Sequence, residues 1–69
     1  MLKGFVTMIS KRGEHSYETL YEFRNGVFDN RGMYADFKYN NGIWHEYGRF
    51  PLDNGVEDWV ISEIRFVLD

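Results

Sequence analysis

Apolar and polar residues alternate along most of this chain, and Gly and Asn break the alternation at short intervals. That pattern reads as short strands joined by tight turns. In Leu2 to Ser10, Phe5, Thr7 and Ile9 share one face and Val6 and Met8 the other, so the strand is expected to be central or covered on both sides. Lys11 to His15 form the first turn. In Ser16 to Arg24, Tyr17, Thr19, Tyr21 and Phe23 point one way, and Glu18, Leu20, Glu22 and Arg24 the other. That is the period of a half-buried strand. Asn25-Gly26 follows at once and predicts a type I′ hairpin turn, because that turn needs positive φ twice. Such a turn sets Arg24 opposite Val27 and Phe23 opposite Phe28. It also sets Glu22 opposite Asp29, a like-charge pair that costs stability.

Asn30-Arg31-Gly32 is the next break, and Met33 to Tyr39 the next strand. Asn40-Asn41-Gly42 turns the chain into Ile43 to Phe50. The register of this second hairpin is open. A turn centred on Asn40-Asn41 pairs Phe37 with Trp44; one centred on Asn41-Gly42 pairs Tyr39 with Trp44. A one-residue slip exchanges the faces. After the break Pro51 to Gly55, the last segment admits two readings. Asn54 with Glu57 resembles a capping box, and Val56, Val60, Ile64 and Val67 fit a helical stripe. Trp59 to Leu68 is nonetheless dense in β-branched and aromatic residues, with Val60, Ile64, Phe66 and Leu68 alternating, which favours a strand. The expected fold is therefore all-β: a small antiparallel meander or partly open barrel of about five strands in a single domain, 1–69. The alternative is α+β, with a C-terminal helix over 56–68.

Two resemblances follow from these segments. Glu22-Phe23-Arg24-Asn25-Gly26-Val27-Phe28 is echoed by Asp36-Phe37-Lys38 and Asn41-Gly42-Ile43-Trp44, which is loosely similar to MORN repeats; two similar hairpins account for the same echo. Val6-Thr7-Met8-Ile9, Leu20-Tyr21-Glu22-Phe23 and Glu63-Ile64-Arg65-Phe66-Val67-Leu68 are similar in character to short phage uracil-DNA glycosylase inhibitors. Those proteins are small, acidic and occupy their target's DNA groove. Val27 to Gly48 has no counterpart there, so no functional residue is carried over.

Composition narrows the function. Sixty-nine residues bury only about 60% of the surface of the unfolded chain. With no cysteine, stability rests on an apolar core built largely from six Phe, five Tyr and two Trp. The net charge of −3 argues against a general nucleic-acid binder, which needs a positive field. The absence of a membrane-span pattern or an export signal fits the cytoplasm. His15 and His45 lie in separate hairpins, and no nucleophile motif or metal-ligand spacing accompanies them, so neither an enzyme, a metal site nor a cofactor is expected.

The favoured function is protein binding, as an inhibitor or adaptor of phage or mobile-element type that occludes a host protein. Tyr, Trp and charged side chains are the usual anchors of such interfaces. The candidate contact residues are Tyr17, Tyr21, Tyr34, Trp44 and Tyr47, with Glu57 and Asp58 as an acidic edge toward a basic partner. On this reading Trp44→Ala removes binding and leaves the fold native. The alternatives are a small-barrel nucleic-acid binder, which needs Lys11, Arg12, Arg31 and Lys38 to converge, and a homo-oligomeric assembly protein, such as a homodimer, joined through a strand edge.

Overall fold

A computed structural model describes residues 1–11, 16–39 and 42–68. The chain forms five strands: β1 (Leu2–Ser10), β2 (Glu18–Asp29), β3 (Gly32–Lys38), β4 (His45–Pro51) and β5 (Trp59–Phe66). They make one antiparallel sheet in the order β4-β3-β2-β1-β5. The first four strands are a meander, and β5 crosses back to pair with β1. The all-β expectation holds, and no helix occurs among the described residues. None is therefore long and apolar enough to cross a membrane. Asn54 does cap, as its spacing suggested. Its side-chain oxygen accepts from the N–H groups of Val56 (2.9 Å) and Glu57 (3.0 Å). The cap closes a bend, and β5 begins directly after it.

The link from Pro51 to Trp59 forces the sheet to curl. Laid flat, its ends would stand four strand spacings apart, ~19 Å across, and roughly ten residues, ~33 Å, along the strands. Eight Cα steps reach at most ~29 Å. Curling brings the two edge strands near each other without closing the barrel. The concave face then packs against itself. Val6, Met8, Phe23, Met33, Ala35 and Phe50 are buried there, with Tyr21, Phe37, Ile61 and Ile64 packed around them. Gly4 permits a close approach of β1 and β5, because a Cβ there would sit 1.9 Å from the Arg65 carbonyl oxygen. Most of the convex face has no second layer, although Val60, which lies on that side with Ile9, is buried. Phe5, expected under cover, is 39% exposed, and Leu20 beside it is exposed too.

Three bulges set the registers, and each departs from simple alternation. Asn25-Gly26 is not a hairpin turn. Asn25 (φ 56°) and Gly26 form a bulge inside β2, where the pairing with β3 shifts between Arg24↔Asp36 and Val27↔Tyr34. The turn falls at Asn30-Arg31, closed by Asp29↔Gly32, with Asp29 accepting from the Arg31 N–H at 2.7 Å. Charge accounts for the outcome. The predicted turn opposed Glu22 to Asp29, whereas the observed register opposes Glu22 to Lys38 (3.4 Å) and Arg24 to Asp36 (3.6 Å). The two hairpins of the sequence echo therefore differ in construction.

In the second hairpin Phe37 pairs with His45, which neither expected register gave. Beyond a bulge at Glu46-Tyr47, the pairs Ala35↔Gly48 to Gly32↔Pro51 follow the register of a turn centred on Asn41-Gly42. Asn40 and Asn41 themselves lie outside the described residues, as do Arg12 to His15 of the first turn. In β5 a shift at Ser62 places Ile61 and Ile64 on the core side, and puts Val60 on the opposite side with Ile9. The expected single stripe of Val60, Ile64 and Phe66 is thereby split.

Candidate functional site

The seam between the two sheet edges is a cleft of about 440 Å³. Its floor comes from alternating inward positions of β1 to β4. Tyr21, Phe37 and Phe50 meet edge to face in a closed trio, with ring centroids 5.5–5.6 Å apart. Such offset contacts suit the ring quadrupoles. Phe37 lies across Gly48, where a Cβ would come within 2.4 Å of the ring. The glycine is therefore what makes room for this ring beside β4. Met8 and Trp59 complete the apolar lining, and Trp59 is 41% exposed.

One rim of the cleft is charged. Arg49 of β4 donates to Glu57 at 2.9 Å across the seam. Asp58 stands beside it, its backbone carbonyl accepting from the Lys11 N–H at 2.7 Å. The Lys11 ammonium reaches Asp53, which also accepts from the Gly55 N–H at 3.1 Å. These contacts tie the link to the β4 edge through Arg49 and to the end of β1 through Lys11. Burial pushes the Tyr21 hydroxyl above its ordinary pKa, with Tyr39 adding to the shift, so it remains a neutral donor at the cleft floor.

The convex face carries a second aromatic group. The bulge at Tyr47 (φ 50°) turns its ring onto Tyr34, stacked at 4.9 Å and 16°. Asp36 holds that bulge by accepting from the Tyr47 N–H (3.2 Å) and from the Asn25 amide (2.9 Å). Trp44 lies half-buried beneath the Arg24 guanidinium, 4.0 Å from the ring centroid, and the Lys38 ammonium, 5.0 Å away. These are cation–π contacts on a surface.

The seven sequence-derived residues therefore divide. Tyr21, Glu57 and Asp58 meet at the cleft. Tyr34, Tyr47 and Trp44 lie on the convex face. Tyr17, 61% exposed, precedes β2, and its carbonyl accepts from Ser10. Phe37, Gly48, Arg49, Phe50 and Trp59 line the cleft and were not singled out. Trp59 adjoins the acids Glu57 and Asp58, a local signal that could have found it. The Arg49–Glu57 pair spans the link and had none.

His45 stacks on Phe37 at 5.1 Å. Among the described residues no group of three or more His, Asp or Glu side chains is placed to hold a metal ion. Five basic side chains are met by acids: Lys11 by Asp53, Arg24 by Asp36, Lys38 by Glu22, Arg49 by Glu57 and Arg65 by Glu63. No protein-family model matches this chain, and neither does any curated protein or solved structure.

Proposed function

We propose that this chain is a protein-binding module whose contact site is the seam cleft. The observation that carries the reading is an aromatic floor of Tyr21, Phe37, Phe50 and Trp59 with Glu57 and Asp58 on its rim. A cleft of this size takes one large apolar side chain of a partner, which is how interface anchors are held. The rim acids and the net charge of −3 favour a partner segment that carries Lys or Arg beside that apolar anchor. A molecule this small acts by covering its partner's surface, as an inhibitor or an adaptor. At least five of its eight bases are ion-paired to acids, which weakens the positive track that a nucleic-acid groove requires.

The test compares tagged wild-type chain with Trp59→Ala, Asp58→Lys and Trp44→Ala in pull-downs from lysate with and without nuclease treatment, with circular dichroism on each variant. The expected result is one stoichiometric protein, lost with Trp59→Ala and Asp58→Lys and retained with Trp44→Ala, all three variants being folded. Loss with Trp44→Ala alone moves the site to the convex face. Recovery that needs intact nucleic acid overturns the protein-binding reading.

A further inference from the structure

The two sheet edges are not equally open. β4 is interrupted by the bulge at Tyr47 and ends in Pro51, and both features discourage pairing by another strand. β5 has neither Pro nor Gly, and C-terminal to its own bulge at Ser62 its pairing with β1 is regular from Glu63 to Phe66 and continues through the Val67 N–H, which donates to the Lys3 carbonyl at 2.9 Å. The cleft takes up only the Trp59 end of its free edge. From Ser62 onward the edge lies beyond the cleft.

Strand geometry says which groups that edge presents. Backbone groups alternate sides along an antiparallel strand. Val67 faces β1, and with it Arg65 and Glu63, whose register to β1 is unbroken from Glu63 to Phe66. Ile64 and Phe66 therefore turn their N–H and C=O groups outward. On the side chains, Glu63 and Arg65 lie on the convex face and pair at 2.9 Å, exposed. Ile64 faces the core, and Phe66, 50% exposed, packs against Phe23 and Phe28 with ring centroids 6.3 and 6.1 Å away.

We infer that β5 is a self-pairing edge, and that its partner is β5 of a second copy of this chain. The segment Glu63-Ile64-Arg65 is self-complementary about Ile64. In an antiparallel pair with its two-fold axis there, Ile64 faces its own counterpart as a hydrogen-bonded pair, using the outward backbone groups. Glu63 then stands opposite the second copy's Arg65, and Arg65 opposite the second copy's Glu63. Both fall at non-hydrogen-bonded positions, where Cα atoms approach to about 4.5 Å and side chains interact most. The half-exposed Phe66 extends the concave apolar surface into the second copy. An isologous contact of this kind closes after two chains and leaves no open filament. It lies outside the cleft and does not depend on the function proposed for that site.

The experiment is sedimentation equilibrium across micromolar to millimolar chain, with hydrogen exchange of the wild-type amides. The wild type is expected to dimerise, and the Ile64 and Phe66 amides to gain protection as concentration rises. Arg65→Glu or Glu63→Arg alone opposes like charges twice across the axis and is expected to raise the dissociation constant about tenfold. The double exchange Glu63→Arg with Arg65→Glu is expected to restore it, with circular dichroism unchanged throughout. A wild-type chain that stays monomeric at millimolar concentration overturns the inference. So does a dimer indifferent to the single reversals, or one in which the Ile64 and Phe66 amides exchange freely.

Discussion

Asp36 shows how much one half-buried side chain can organise. Its carboxylate accepts from Asn25 and from the Tyr47 backbone and faces Arg24, so it ties together the bulges of β2 and β4. The Asn25 hydrogen bond first, then that of Tyr47 and the Arg24 charge, hold its pKa below the ordinary value of 3.8. Asp53 is likewise depressed, first by Lys11 and then by the Gly55 N–H. A depressed native pKa contributes stability above the unfolded-state value, and that stability is lost as the pH falls through the native value. The thermal midpoint is therefore expected to be level above about pH 4 and to fall below it. Asp36→Ala is expected to lower the plateau and flatten the acid limb. Thermal melts at a series of pH values check this; an acid limb as steep in the variant as in the wild type contradicts it.

At the scale of the strand, bulges do what turns were expected to do. Asn25 occupies the left-handed region within a strand, where Asn is tolerated and a β-branched residue is strained. Asn25→Val is expected to destabilise the protein by about 1–3 kcal/mol. Asn25→Gly, which removes the strain but also the hydrogen bond to Asp36, should cost less. Urea unfolding of the two variants ranks them, and equal losses would mean that the hydrogen bond matters more than the backbone angle. The same device at Glu46-Tyr47 protects the β4 edge and aims Tyr47 at Tyr34. The bulge and the terminal Pro51 thus blunt the β4 edge, whereas the β5 bulge at Ser62 leaves Glu63 to Phe66 regular and available for pairing.

At the scale of the molecule, a single sheet has to supply its own second layer. Curling achieves this, but it leaves a thin core and a convex face with exposed Phe5, Leu20 and Val27. Phe23, 1% exposed, is among the largest fully buried side chains. Phe23→Ala is expected to remove about 3–5 kcal/mol, a large share of the roughly 5–15 kcal/mol that folded domains possess. Far-ultraviolet circular dichroism in urea should show a variant that is mostly unfolded near zero denaturant. A cooperative transition displaced by less than ~1 kcal/mol would mean that the core repacks. The cleft follows from the same curl, because an open sheet that nearly closes leaves its last gap at the seam.

The sequence by itself determined the bounds of β1 and favoured the all-β fold and a strand over Trp59 to Phe66, because period-two alternation and β-branched density are local properties; the choice of strand over helix in that last segment was made by its pairing with β1. It also held the evidence against a turn at Asn25-Gly26, in the Glu22–Asp29 conflict that this turn would create. It could not choose the alternative, because preferring Glu22–Lys38 and Arg24–Asp36 requires knowing which strands are neighbours. Tyr21, Glu57 and Asp58 were legible as candidates by residue type. Their meeting with Phe37, Arg49 and Trp59 was decided only by the tertiary structure. A short link between opposite edges bends the sheet, and that long-range constraint leaves no periodic trace in the chain.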